Sequence, residues 1–276
     1  MNRVIDPAMF AQPFVQNAFA SATVVALLAS FVGFFVVLRG ATFASHAYAQ
    51  IGFAGAAGAV LLGVDPLAGL VTFAIGGAAL DGLLGEREHT RDVATALLMV
   101  AALGAGALFL VLDNAFASAA FGLLFGSIVG VSRPQVLAVA ALGALCALAL
   151  ATLYRPLLFA SVNPEGASAR GIPVRTVGIA FATLLAVTAA IAVPTVGTLL
   201  IFSLTVGPAA AAAQLTKHPV RAIALGAAIA LGATWCGIVA AVDTGWPVGF
   251  FITALVTAAY AAARIAGGPR PRTPTR

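Results

Sequence analysis

Charge is scarce in this sequence: only eight per cent of its 276 residues are Asp, Glu, Lys or Arg, against about a quarter in an ordinary soluble domain. Fourteen basic and nine acidic side chains cannot coat a soluble domain of this length, so an aqueous globular fold is excluded and lipid is the implied solvent. Lysine occurs once, as Lys217 between Thr216 and His218. The phosphate-binding pattern GxxxxGK[ST] is therefore absent, and this chain cannot bind ATP in that manner. The two cysteines, Cys146 and Cys236, both lie in apolar stretches and read as small core hydrophobes, with no disulfide framework or CxxC site. The alternating segments of about ten residues that build a membrane β-barrel are missing as well. The net charge of +5 is scattered singly or in pairs between apolar stretches, which suits membrane orientation and not a nucleic-acid-binding face.

Apolar residues dominate instead, at 62 per cent, and many are small, as in Gly52 to Gly58 and Gly207 to Ala213. Small residues let membrane helices approach closely. The expected fold is all-α, a polytopic transmembrane helical bundle. Flanking charges and prolines bracket nine candidate spans, at 18–38, 44–64, 66–84, 93–112, 135–154, 176–194, 196–214, 222–241 and 247–263. Pro194 to Thr198 either turns the chain or interrupts one long helix, so the count is eight or nine. Residues 116–130 are too short to cross and read as an interfacial or re-entrant helix. There Gly122, Gly126 and Gly130, spaced by four, form a packing face of the GxxxG type. Residues 1–17 are too polar for a cleavable signal and the next apolar run is too long for one, so that run is expected to stay as a span.

Orientation follows from the cations. One set of loops and the tail hold Arg39, Arg87, Arg91, Arg155, Arg170, Arg175, Lys217, Arg221, Arg264, Arg270, Arg272 and Arg276, whereas the other set holds only Arg3 and Arg133. The positive-inside rule places the first set in the cytoplasm and residues 1–17 outside, so the chain is expected to be a multi-pass protein of a bacterial inner membrane. The transmembrane domain spans 18–264, with 156–174 as its longest cytoplasmic connection. The Pro-rich basic tail, 265–276, is expected to be disordered.

Polar side chains inside spans are costly, so function is sought there. His46 and Gln50, one helical turn apart, share a face at the start of the second span and can point into one cavity. Imidazole is a good ligand for zinc, manganese or iron, and an amide oxygen is a weaker, harder one, so together they suit transient contact. A histidine that merely bonds a neighbouring helix is the competing reading. Asp81 and the run Glu86, Arg87, Glu88, His89, Arg91, Asp92 read as boundary charges, and His218 as a solvent-facing turn residue.

The segment Leu38-Arg39-Gly40-Ala41-Thr42-Phe43-Ala44-Ser45-His46-Ala47-Tyr48-Ala49-Gln50 resembles the pattern LRRxxFxGDALSHA of the membrane subunits of zinc, manganese and iron ABC importers. Further segments are similar in the same order. Arg91 to Leu97 resembles REDTAIGI, and Phe121 to Ile128 resembles YLFGSIL. Leu153 to Leu158 with Pro164 to Val174 resembles LLYRPLL followed by DPELARALGLPV, and Val196 to Ala212 resembles VGVLLVxALLxxPAATA. The likeness covers residues 18–264. It implies a permease of the type II ABC importer kind that is not itself an enzyme. The implied assembly is a second permease chain, cytoplasmic ATPase subunits that bind ATP, and an extracytoplasmic metal-binding protein. It also implies that 156–174 carries the coupling helix, with Pro164, Glu165, Ser168, Arg170 and Gly171 facing the ATPase. The family's Asp and His, taken to touch the metal, correspond here to His46 and Gln50. A solitary ion-coupled transporter and a permease for a metal chelate such as a siderophore are the alternatives.

Overall fold

The computed structural model describes residues 12–84, 88–112, 126, 131–198 and 200–267. Among them are ten helices and no strand: α1 (Pro13–Leu38), α2 (Thr42–Leu61), α3 (Pro66–Leu84), α4 (Glu88–Leu112), α5 (Arg133–Val162), α6 (Pro164–Ala169), α7 (Val174–Val196), α8 (Ile201–Leu215), α9 (Pro219–Thr244) and α10 (Val248–Ala266). Proline opens α1, α3, α6 and α9, where its missing N–H costs nothing because the first helical N–H groups have no intrahelical acceptor.

Each of the nine expected spans is a helix. Seven of them (α1, α3, α4, α5, α7, α9 and α10) are long and apolar enough to cross a membrane. Helix α2 has the length but, with Ser45, His46 and Gln50 in it, falls short in hydropathy; α8 has only 15 residues. The chain does not run on as one helix at Pro194. Helix α7 passes through that proline and stops at Gly197, whose φ of 90° has no low-energy equivalent for other residues, and α8 begins four residues later.

Helices α2, α3 and α4 pack together, with α3 and α2 also on α7; α8, α9 and α10 form a second group, joined to α1. Helix α5 rests on α1 and α7. The core lies where α1 and α7 meet between the groups: Phe35 is edge-on to Tyr154 of α5, at 5.8 Å between ring centroids, and to Phe181 of α7, at 6.1 Å. Outer faces of α4 and α5 expose Leu97, Val100, Val111, Leu137 and Leu148, each more than 60 per cent, an apolar surface of the kind that lipid or another helix covers. Cys146 is buried as expected, but Cys236 is exposed on α9 and is no part of the core.

Two helix crossings are backbone contacts. A Cβ placed on Gly55 of α2 would run into the carbonyl oxygen of Gly69 on α3, and the reverse holds for Gly69. A Cβ on Gly33 of α1 would strike the carbonyl oxygen of Thr205 on α8. Of the three glycines expected to pack, Gly122 and Gly130 lie outside the described residues. Gly126, with φ 73°, sits so close to the end of α7 that a Cβ would be 2.7 Å from the Thr195 oxygen. The side chains of Glu86, Arg87, Glu88, His89 and Arg91 also lie outside the described set, as do the N-terminal segment 1–11 and the tail from 268.

Replacing Gly33 or Gly55 by Ala forces backbones apart and is expected to destabilise the protein by about 1–3 kcal/mol. Gly104→Ala, where a Cβ meets nothing within 4 Å, is expected to be neutral or slightly stabilising. Thermal unfolding in detergent checks both, and a Gly55→Ala protein as stable as the parent would refute the contact.

Candidate functional site

Helix α2 enters the bundle through Thr42-Phe43-Ala44-Ser45 and then carries the polar run His46 to Gln50. Side chains four apart share a face, and side chains two apart lie on roughly opposite faces. His46 and Gln50 therefore form one side of α2 and Tyr48 the other. His46 is half-buried, its ring edge-on to Phe202 at the start of α8, with centroids 5.9 Å apart and planes at 82°. Gln50 is 3 per cent exposed, and its Oε1 has no hydrogen-bond partner among the described residues. An open acceptor so deeply buried costs about 1–3 kcal/mol, which marks the spot where a donor, a water or a cation would be welcome.

The opposite face is closed. The Tyr48 hydroxyl donates to Asp81 Oδ2 at 2.7 Å, and the Thr95 hydroxyl of α4 donates to Asp81 Oδ1. Asp81 is fully enclosed. It is thus not the boundary charge the sequence suggested but an interior acceptor that ties α2, α3 and α4 together. Its position within the apolar run from Leu67 to Leu84 was the available signal, because a carboxylate inside a span needs a partner. Next to this triad is a cavity of about 220 Å³, whose walls include Arg39, Tyr48, Asp92, Thr95 and Phe181. No group of three or more His, Cys, Asp or Glu side chains that could hold a metal occurs among the described residues.

The second region singled out lies at the far end of α5. Expected to end near residue 154, α5 continues through Pro156 to Val162, because Tyr154, Leu157 and Ala160 all pack inward and their burial outweighs the one hydrogen bond a proline removes. The connection expected over 156–174 is accordingly the end of α5, the single-turn α6 and a turn. Asn163 Oδ1 caps α6 by accepting from Gly166 N at 2.8 Å. Gly171, with φ 79°, ends it, and Ile172 N bonds back to Ala167 O at 3.0 Å. Ala167 is buried beneath, while Pro164, Glu165, Ser168, Arg170 and Gly171 are all exposed. The Arg170 guanidinium lies over the Phe159 ring at 5.2 Å. His218 is exposed at the start of α9, as its sequence setting suggested.

The structure thus brings His46 and Gln50 to one face and leaves the α6 residues far along the chain at a separate surface. Removing the phenol of Tyr48 as Tyr48→Phe strips the buried Asp81 of a donor and is expected to cost about 1–3 kcal/mol in thermal stability; no loss would mean that the carboxylate does not depend on this bond.

The sequence profile described as the ABC 3 transport family matches residues 11–267. The manganese transport system membrane protein MntC of Halalkalibacterium halodurans is 27% identical over 206 residues, which is 74% of this chain and 70% of that protein. The manganese import system permease protein ScaB of Streptococcus gordonii is 27% identical, over 82% of this chain and 81% of that one. Among solved structures, PsaBC from Streptococcus pneumoniae in complex with Fab superposes with a TM-score of 0.84 at 25% identity, covering 94% of this chain and 95% of the other. A transporter described as of the metal-chelate ABC type, in an inward-facing conformation, shares the fold at a TM-score of 0.75 and 17% identity, covering 95% of this chain and 91% of that chain.

Proposed function

Because the chain belongs to the ABC 3 transport family, we propose that it is the membrane-embedded permease of an ATP-driven importer of manganese or zinc. The likeness that carries this reading is the agreement with PsaBC along 94% of the chain. The relatives named as manganese permeases favour that metal. The partners are a second permease chain, a cytoplasmic ATPase that supplies the nucleotide chemistry missing here, and an extracytoplasmic metal-binding protein.

In this reading α2 and α8 cross together with the seven apolar helices. Helix α2 spans about 30 Å at 1.5 Å per residue, and a polar face is tolerated there because neighbouring helices cover it. Nine crossings alternate the cation-rich and cation-poor loops consistently, with the C-terminal end in the cytoplasm. That places α6 on the cytoplasmic side, where its exposed Pro164, Glu165, Ser168, Arg170 and Gly171 are the coupling surface for the ATPase. ATP-driven closure of the ATPases tilts the helices through α6 and alternates access to the path.

His46 and Gln50 are the path contacts. A hydrated divalent ion sheds water on entering, and imidazole nitrogen with amide oxygen replaces part of that shell. Neither ligand is charged, so coordination is weak and release rapid, and selectivity rests with the binding protein. Reconstitution of the complex with binding protein loaded in turn by manganese, zinc or iron, read as metal-stimulated ATP hydrolysis and import, identifies the cargo. His46→Ala is expected to reduce import about tenfold or more, the scale of one lost contact of ~1.4 kcal/mol, with ATPase binding intact. Import at the parent rate would sink the ligand assignment.

A further inference from the structure

We propose that Arg39 is a positioning residue that passes motion of α6 to the path-lining face of α2; this rests on the coupling and path roles assigned above. Arg39 is the first residue after α1. From there the chain reaches α2 through a turn with no slack: Gly40 has φ 67°, Ala41 N bonds to Val36 O at 2.9 Å, and Ser45 N bonds to Ala41 O at 3.1 Å. A shift of Arg39 is therefore a shift of the first turn of α2, which leads directly into His46.

The side chain reaches the other end of the relay. Its Nη1 donates to Ser161 Oγ at 3.2 Å, and Ser161 stands two residues before Asn163, the cap of α6. The serine hydroxyl spends its own proton on Leu157 O at 2.6 Å, so toward Arg39 it can only accept. The bond is thus directional and tied to the α5 backbone, which continues as an unbroken helix into the α6 junction. The guanidinium plane meanwhile lies over Phe181 of α7 at 5.6 Å, and Gly178, one turn earlier, keeps that flank low enough that even a Cβ would stand 3.5 Å from Nη2. Arg39 thus belongs to the α1–α2 turn by its backbone, while its planar fork touches both α7 and the end of α5, just before α6. The cavity of about 220 Å³ beside it, reaching to Tyr48 on the back of α2, leaves room for the fork to swing. A lysine offers one point charge and could not hold three elements together.

The test uses the permease reconstituted in liposomes with its ATPase and binding protein, and compares radioactive Mn²⁺ imported per ATP hydrolysed. Arg39→Lys and Ser161→Ala should each lower that ratio about tenfold, the scale of one hydrogen bond to a charged group. ATPase co-purification and basal hydrolysis should stay at the parent level, and the double variant should be no worse than the single ones. An unchanged ratio in both single variants overturns the proposal, as do additive losses in the double variant. Loss of ATPase binding in either variant also overturns it, since Arg39 would then support the docking surface and transmit nothing. If the parent permease itself fails to retain an ATPase, the coupling assignment falls first, and that is visible before any variant is compared.

Discussion

In lipid, apolar side chains gain little by leaving the solvent for another helix, so a bundle of this composition is held by how closely its backbones can approach. The crossings at Gly55 with Gly69 and at Gly33 with Thr205 are the tightest expression of that constraint. They set the spacing of α2 against α3 and of α1 against α8. The Tyr48–Asp81 bond can form only because α2 and α3 lie nearly in contact a few turns away, and His46 meets Phe202 only because α8 is drawn against α1.

The same closeness explains why α2 has two unlike faces. On one side three polar groups from three helices satisfy each other around an enclosed carboxylate, which makes a rigid back. On the other, Gln50 keeps a buried oxygen without a partner and His46 keeps an aromatic neighbour in place of a hydrogen-bonded one. A tied back with an unsatisfied front fits the path role proposed for α2.

The helices were legible because lipid demands long apolar runs, and flanking prolines and charges mark their ends. Where those local signals misled, packing had outvoted them. Pro156 looked like the end of a span, yet Tyr154, Leu157 and Ala160 bury themselves on either side of it and α5 runs on to Val162. Asp81 looked like a boundary charge because it is near cations in sequence, but its partners Tyr48 and Thr95 come from helices 33 and 14 residues away. Cys236 seemed a core residue by its neighbours and proved to face outward, since an apolar stretch on a membrane helix does not say which side meets lipid.

The sequence by itself determined the solvent, the helical class, the absence of a nucleotide-binding loop and the pairing of His46 with Gln50 on one helical face. All of these follow from composition or from spacing within a single helix. Only the tertiary structure decided that Gln50 Oε1 has no hydrogen-bond partner among the described residues, that Asp81 is enclosed, and that Arg39 bridges the turn before α2 and the helix before α6. Each of those is a contact, or a missing contact, between segments far apart in the chain. Helical periodicity orients a side chain on its own helix, but which neighbour stands opposite is settled by the packing of the whole bundle.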